Sequence, residues 1–176
     1  QLITEKSLED ASMKDGWLVS NTKMDILKIA VVNRYQRDAP VAVGFIKNFG
    51  LKRGAIASSV AHDSHNIIAT GVDDESLSAA VNLIIARKGG ISVADRSDQK
   101  INQVLALPVA GLMSNENGYE VATAYTAIDK AAKALGSKLS APFMTLSFMA
   151  LLVIPKLKLS DLGLFDGEAF RLVEGN

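Results

Sequence analysis

The chain has 176 residues, 48% of them hydrophobic and 22% charged, which is typical of one globular domain with little disorder. The 19 lysines and arginines balance 19 aspartates and glutamates, so no net field favours binding to nucleic acid or to an anionic membrane. The sequence contains no cysteine, which excludes disulfides, thiolate zinc sites and cysteine nucleophiles and is compatible with the reducing cytoplasm.

The first 24 residues read as a polar lead-in with few apolar positions. They begin with Gln1 rather than methionine and lack the basic flank and apolar core of a secretory signal, so we expect a chain cut out of a longer polypeptide. Within them, Trp17-Leu18-Val19 is compatible with a short strand or a packing contact. We therefore divide the chain into a lead-in, 1–24, and a folded domain, 25–176.

Four short apolar runs follow the lead-in. The β-branched run at 25–32 and the run at 41–46, separated by a turn signal at 38–40, predict two strands joined by a charged loop. Two further runs lie within 54–71, bounded by glycines, and predict two buried strands. The polar cluster 62–66 would then lie on the connection between those two strands, where binding groups are often placed.

The next segment has the clearest helical pattern. Asp73 is a good N-cap, and Gly89 is well placed to stop the helix. One apolar face is predicted from residues at helical spacing: Leu77, Ala80, Val81, Ile84 and Ile85. A short strand at 90–94 follows, so the order of elements is that of a βαβ unit.

The remaining segments predict one strand or short helix at 101–107, a helix at 118–135, a short buried helix between Pro142 and Pro155, and a return to the sheet at 157–173. The 118–135 helix has its apolar face on Val121, Ala124, Tyr125, Ile128, Ala131, Ala132 and Leu135. The pattern predicts a single α/β domain, with α+β also possible, in which a mixed β-sheet packs with two to three helices.

The cluster His62-Asp63-Ser64-His65-Asn66 holds the only two histidines of the chain and is the first candidate site. Imidazole nitrogens and an aspartate oxygen suit zinc, manganese or iron, and Asp63 could equally orient one imidazole for acid–base chemistry. The alternative is a capped turn in which the histidines bind backbone carbonyls.

A second candidate is the polar loop before the 118–135 helix, with Ser114, Asn115 and Glu116. A helix amino terminus can bind an anion or a carbonyl oxygen, although residues of these types more often cap the helix. The stripe Phe143, Met144, Phe148 and Met149 is typical of core, or of a face that another domain covers.

Four segments of this chain carry a likeness to a known family: Ser59 to Ile67, Leu107 to Ser114, Ala141 to Leu151, and Leu157 to Leu164. They resemble the carboxy-terminal domain of bacterial adenine deaminase, an amidohydrolase. The likeness extends over roughly residues 25 to 173. It implies a whole enzyme of purine salvage that converts adenine and water to hypoxanthine and ammonia.

The resemblance also implies what this chain lacks. The family's binuclear manganese or iron centre lies in an amino-terminal barrel that begins with a His-x-His pair, and no such pair occurs here. We therefore expect no metal in this domain, a barrel domain as its partner, adenine as the substrate of the whole enzyme, and a homo-oligomer. The isolated domain is expected to be inactive. The resemblance assigns no role to the 62–66 loop, but a polar cluster between two apolar strands suggests that the loop faces the mouth of the barrel's active site and helps to enclose substrate or exclude water.

Two other functions stay open on the sequence. The first is a free-standing metal hydrolase that uses His62, Asp63 and His65 with further carboxylates. The second is a non-catalytic binding or oligomerisation module, with the face from Phe143 to Met149 as its contact surface.

Overall fold

The computed structural model describes residues 2–173, which form strands and helices joined by short loops. The helices are α1 (Asp74–Ala86), α2 (Gly118–Ala134) and α3 (Pro142–Phe148), with a short 3-10 turn at Gln99–Ile101. The strands are β1 (Met13–Lys14), β2 (Trp17–Leu18), β3 (Ile26–Val32), β4 (Ala42–Lys47), β5 (Ala55–Ser58), β6 (Ile67–Gly71), β7 (Gly90–Ala94), β8 (Gln103–Ala106), β9 (Leu157–Ser160), β10 (Gly163–Asp166) and β11 (Arg171–Leu172).

The centre of the molecule is a six-stranded sheet with the order β4-β3-β6-β5-β7-β8. Neighbouring strands of this sheet are antiparallel. Because β6 and β7 each pair antiparallel with β5, they run in the same direction on either side of it, and α1 joins them. The predicted α/β domain with two to three helices is confirmed, and its βαβ unit is split by one antiparallel strand. All five pairs of neighbouring strands in the main sheet are antiparallel, a detail that the sequence pattern did not specify.

Helix α1 forms where the sequence predicts it. The Asp73 carboxylate accepts a hydrogen bond from the Ser76 amide at 2.7 Å, and the chain leaves the helix before Gly89, which has a positive φ of 136°. Four of the five predicted apolar residues face the sheet. The prediction is wrong for Ile85, which has 54% of its surface exposed against 1% for Ile84. Each residue turns the helix by about 100°, and the step from Ile84 to Ile85 passes the edge of the face that the sheet covers.

Helix α2 is covered over only part of its length. Its second half carries the buried residues Ile128, Ala131 and Ala132. In the first half, Ala124 is exposed and Tyr125 retains 38% of its surface, so the prediction of one continuous buried face is wrong there. The reason is tertiary, because the core to which α2 contributes ends near the middle of the helix.

The carboxy-terminal segment does not return to the main sheet, contrary to the prediction. Strands β9, β10 and β11 form a separate three-stranded antiparallel sheet. Leu159 of β9 is buried and lies 3.6 Å from the position that a Cβ atom on Gly44 would occupy. This small sheet thus covers part of the same face of the main sheet as α2 and α3, while α1 covers the opposite face.

The lead-in runs along the small sheet. The Thr4 amide donates to the Pro155 carbonyl at 3.1 Å, and the Thr4 hydroxyl donates to the Leu157 carbonyl at 2.6 Å. Of the two alternatives for Trp17-Leu18-Val19, the structure has the strand, since Trp17–Leu18 forms half of a short exposed hairpin. Within residues 2–173, no helix is long and apolar enough to cross a membrane. The boundary at residue 24 stays a prediction.

Candidate functional site

The order of strands brings both predicted candidate sites to one end of the main sheet. Strand β3 ends there, with Val32 opposite Ile67 at the start of β6, and β8 ends there, with Ala106 opposite Gly90 at the start of β7. The connections 33–41, 59–66 and 107–117 therefore gather at this end. The first contains residues that we did not single out, and the other two contain the predicted candidates.

We call residues 62–66 the histidine loop, which is a tight turn held by its own backbone. The His65 amide donates to the Ala61 carbonyl at 2.7 Å, and the His62 amide donates to the Ser147 carbonyl at 3.1 Å. His65 has a positive φ of 53°, as the turn requires. The loop is thus anchored both to its own strand end and to the end of α3.

The two imidazoles lie inward, while the tip of the loop faces solvent. The centroid of the His62 ring lies 4.8 Å from that of Phe148 and 5.9 Å from that of His65. Both histidines are half-buried, and Asp63 and Ser64 are exposed. Within residues 2–173 no hydrogen bond joins Asp63 to an imidazole, and the buried Nδ1 atom of His65 has no partner. The geometry therefore exposes Asp63 and Ser64 to solvent more than it exposes the two histidines.

The described part of the chain does not assemble a metal centre. Among residues 2–173, no group of three or more histidine, cysteine, aspartate or glutamate side chains lies close enough to hold a metal ion. The donors of the histidine loop therefore do not fit a binuclear centre, and the free-standing hydrolase that uses His62, Asp63 and His65 receives no support.

Sequence reasoning missed the segment that holds the histidine loop from its other side. We call Asn33, Arg34 and Tyr35 the clamp. The Tyr35 hydroxyl donates to the Ser64 carbonyl at 2.9 Å, and the Arg34 amide donates to the Asn66 side-chain oxygen at 3.2 Å. Asn66 itself is buried, so its amide group serves as an internal acceptor for the clamp.

The clamp also ties the histidine loop to two other parts of the chain. The Arg34 guanidinium donates to the Ala110 carbonyl at 2.6 Å, and the Asn33 side chain donates to the Asp161 carboxylate at 2.7 Å. The guanidinium lies so close to Gly111 that a Cβ atom there would overlap it. The sequence signal for this segment was weak, namely an asparagine directly after a strand, which caps the following turn.

Ser59 connects the start of the 59–66 connection to the 107–117 connection and to the start of β7. It is fully buried, its hydroxyl donates to the Gly111 carbonyl at 2.6 Å, and its oxygen accepts from the Gly90 amide at 2.8 Å. The serine is a structural bridge between loops, in agreement with the absence of a nucleophile elbow around it in the sequence.

The second candidate loop lies at the same end of the sheet with its polar groups engaged locally. The Ser114 hydroxyl accepts from the Glu116 amide at 3.1 Å, and Asn117 accepts from the Tyr119 amide at 2.9 Å. Asn115 and Glu116 are exposed. These contacts are those of a capping loop, and within residues 2–173 no hydrogen bond connects Ser114, Asn115 or Glu116 to the histidine loop.

A cavity of about 440 Å³, which we call the loop cavity, opens beside the histidine loop. Its walls come from the loop tip, the segment after α3 and the small sheet. It is lined by Asp63, Ser64, Ala150, Leu151, Leu152, Val153, Ser160, Asp161, Phe165 and Phe170. The predicted Phe143 to Met149 contact face is, by contrast, largely internal, because Phe143 and Met149 are buried and contribute to the core.

Comparison with known proteins identifies similar chains of greater length. The family model of the adenine deaminase C-terminal domain matches residues 1–171. Adenine deaminases of Salinibacter ruber and Sulfurovum sp. are 51% identical over 175 residues and 54% identical over 174 residues, respectively. The aligned regions cover 99% and 98% of this chain but 31% of each relative. The resemblance that the sequence segments carried is confirmed.

Proposed function

We propose, on the premise that this chain belongs to the adenine deaminase C-terminal domain family, that it is part of an enzyme that hydrolyses adenine to hypoxanthine and ammonia. The chain spans about 31% of the length of its relatives, so the larger part of such an enzyme precedes it. That part would be an amidohydrolase barrel, and the enzyme would serve purine salvage in the cytoplasm.

The role we propose for this domain is to cover the active site with the histidine loop. The observation that carries the proposal is the asymmetry of the loop, which is bonded on its inner side by the clamp and by the end of α3 while Asp63 and Ser64 stay exposed. A loop held in this way is preorganised, because little conformational freedom is left to lose when it meets a partner.

The chemistry of the exposed groups suits such a cover. A carboxylate at Asp63 accepts N–H groups, and the Ser64 hydroxyl both donates and accepts. A loop that closes a site also excludes water from the reacting atoms. The binuclear manganese or iron centre of the barrel would supply the activated water for attack on the purine carbon that bears the amino group. This domain would thus contribute enclosure and positioning, and by itself it is expected to be inactive.

Kinetics of the full-length enzyme test this role. Replacement of His62 or His65 by alanine removes the packing that shapes the loop, and we expect kcat/KM for adenine to fall about 10- to 100-fold, because small displacements of positioning groups are costly. The matched control is Asn82→Ala, which changes an exposed residue on α1 and should leave both constants unchanged. Unchanged kcat and KM in both histidine variants would refute the proposal.

Self-association is part of the proposal, as the family resemblance implies a homo-oligomer. The surface first predicted for it, Phe143 to Met149, offers only Met144 as a largely exposed apolar side chain. Sedimentation of the full-length enzyme at several concentrations would test it, with a concentration-independent monomer as the contrary result.

A further inference from the structure

We propose that the loop cavity is the docking site for a segment of the polypeptide that precedes this domain in the full-length enzyme. The segment would carry an apolar side chain next to a lysine or arginine. The inference extends the proposed function only in that it takes this domain to be part of a longer deaminase. It concerns how the two parts are joined, and it does not depend on what the histidine loop does in catalysis.

The first argument is where the chain enters the domain. The Lys158 ammonium donates to the Leu2 carbonyl at 2.6 Å, so the beginning of the lead-in lies against β9. Side chains alternate along a strand, so Lys158 and Ser160 project from the same face of β9, about 7 Å apart. Ser160 lines the loop cavity. Leu2, the first described residue, therefore lies on the face of the small sheet that borders the cavity.

The pairing of the small sheet supports the same arrangement. Phe165 of β10 lies opposite Lys158, which places its ring on the face that carries the lead-in. The neighbours Leu159 and Leu164 project from the opposite face, against the main core. One face of the small sheet is thus committed to the domain's own core, and the other combines the lead-in with the cavity wall.

The second argument is the chemistry of the lining. The apolar wall includes Phe165 and Phe170, whose ring centroids are 5.3 Å apart, and Val153. Phe170 retains 72% of its surface and Val153 retains 69%. A contiguous apolar wall with exposed members indicates a surface that another polypeptide covers.

The third argument is charge. The carboxylates of Asp63 and Asp161 both line the cavity, and neither forms a salt bridge within residues 2–173. Asn33 holds the Asp161 carboxylate in position without neutralising it. A basic side chain with an apolar stem complements two carboxylates above an apolar wall, since lysine and arginine bury their methylene groups and keep the charge at the rim.

Tethering makes the upstream polypeptide a stronger candidate than a second copy or a small molecule. A segment connected through the lead-in meets the cavity at an effective concentration in the millimolar range, so even a modest surface binds it. A second copy would need the same affinity at the far lower concentration of the free protein. The upstream polypeptide and a second copy consequently predict different outcomes of one experiment.

Hydrogen exchange of the full-length enzyme and of the isolated 176-residue chain tests the proposal. The amides of Leu152 and Val153 donate no main-chain hydrogen bond within residues 2–173, so they should exchange quickly in the isolated chain. In the full-length enzyme we expect them to exchange at least about tenfold more slowly, because docking excludes solvent from them. The internal control is the end of α1, residues 82–88, where exchange should match in the two proteins.

A pair of variants locates the contact. Phe170→Glu in the full-length enzyme should return the exchange of Leu152 and Val153 to the rate of the isolated chain. The matched control is Tyr119→Glu, an aromatic residue with 87% of its surface exposed at the start of α2, which should leave the protection intact. Both changes are on exposed side chains, so the fold should tolerate them.

Three results would overturn the proposal. The first is equal exchange of Leu152 and Val153 in the two proteins, and the second is protection that survives Phe170→Glu. The third is protection that appears in the isolated chain as its concentration rises, which would assign the cavity to a second copy. Failure of the histidine variants to change kcat or KM would refute the covering role alone and leave this docking contact standing.

Discussion

The middle of the main sheet is stabilised by hydrophobic packing, whereas the end of the sheet that carries the 33–41, 59–66 and 107–117 connections, its loop end, is held by polar contacts. Strands β5, β6 and β7 are buried throughout and packed between α1 on one face and α2 and α3 on the other. The loop end is held by single polar contacts between residues far apart in the chain, such as Asn33 and Asp161, which are separated by 128 positions.

The difference teaches where stability and geometry come from in this domain. A buried isoleucine contributes several kcal/mol to the free energy of unfolding through burial and close packing, and the core contains many such residues. A hydrogen bond contributes about 1 kcal/mol on balance, but it sets direction and distance. The sheet therefore supplies most of the stability, and the clamp supplies the position of the histidine loop.

The largest expected effect is on stability and tests the hydrophobic packing of α1 against the middle of the main sheet. Ile84→Ala should lower the free energy of unfolding by about 2 to 5 kcal/mol, because it leaves a cavity in the core beneath α1. Ile85→Ala, one position further on, should change it by about 0.5 kcal/mol or less, since that side chain lies mainly in solvent. Urea unfolding of both variants measures the contrast, and equal losses would show that α1 does not pack as described.

The second effect concerns Lys158, a charged group that is buried between the small sheet and the lead-in. Only 2% of its surface is exposed, and burial lowers its pKa from 10.5 to about 8. Between these two pKa values the unfolded chain binds more protons than the folded one, so stability should rise with pH over that window, by up to about 3 kcal/mol. Below pH 8 the full cost of burying the charge is present.

The measurement is the difference in unfolding free energy between the wild-type chain and Lys158→Met at several pH values from 7 to 10.5. The wild-type chain should gain on the variant as the pH rises. Parallel pH profiles would mean that the Lys158 amine is solvated in the folded state.

The smallest effect on stability, and the most local, is expected at the clamp. Tyr35→Phe removes the hydrogen bond to the Ser64 carbonyl and should cost about 1 kcal/mol of global stability. The amide of His65 should nevertheless exchange about tenfold faster, because the histidine loop loses its support. Hydrogen exchange monitored by NMR measures it, with the exposed Arg37→Ala as control. A uniform increase in exchange throughout the sheet would contradict a local role.

Local patterns were sufficient for most of the elements. Strand β3 and helix α1 begin and end close to where alternation, helical spacing and the Asp73 cap predict, because the forces that form them act between neighbours in sequence. The histidine loop was likewise placed correctly between two buried strands. Its assignment as a candidate site stays a prediction, since its role depends on groups outside this chain.

The errors have a common physical origin. The exposure of Ile85 and of the first half of α2, and the separate sheet formed by the tail, depend on which surfaces meet in three dimensions. The clamp went unnoticed for the same reason, because nothing near Asn33 in sequence indicates Asp161. Contacts between distant segments leave no period in the sequence and cannot be inferred from one chain alone.

By itself, the sequence determined most of the secondary structure, the family and the position of the polar cluster between two strands. Tertiary structure alone decided that the His62 ring packs against Phe148 while Asp63 and Ser64 are exposed, and that a cavity lies beside them next to the lead-in. The physical reason is that hydrophobic periodicity is local, whereas the direction of a loop side chain follows from the packing and hydrogen bonds of segments that meet only after folding.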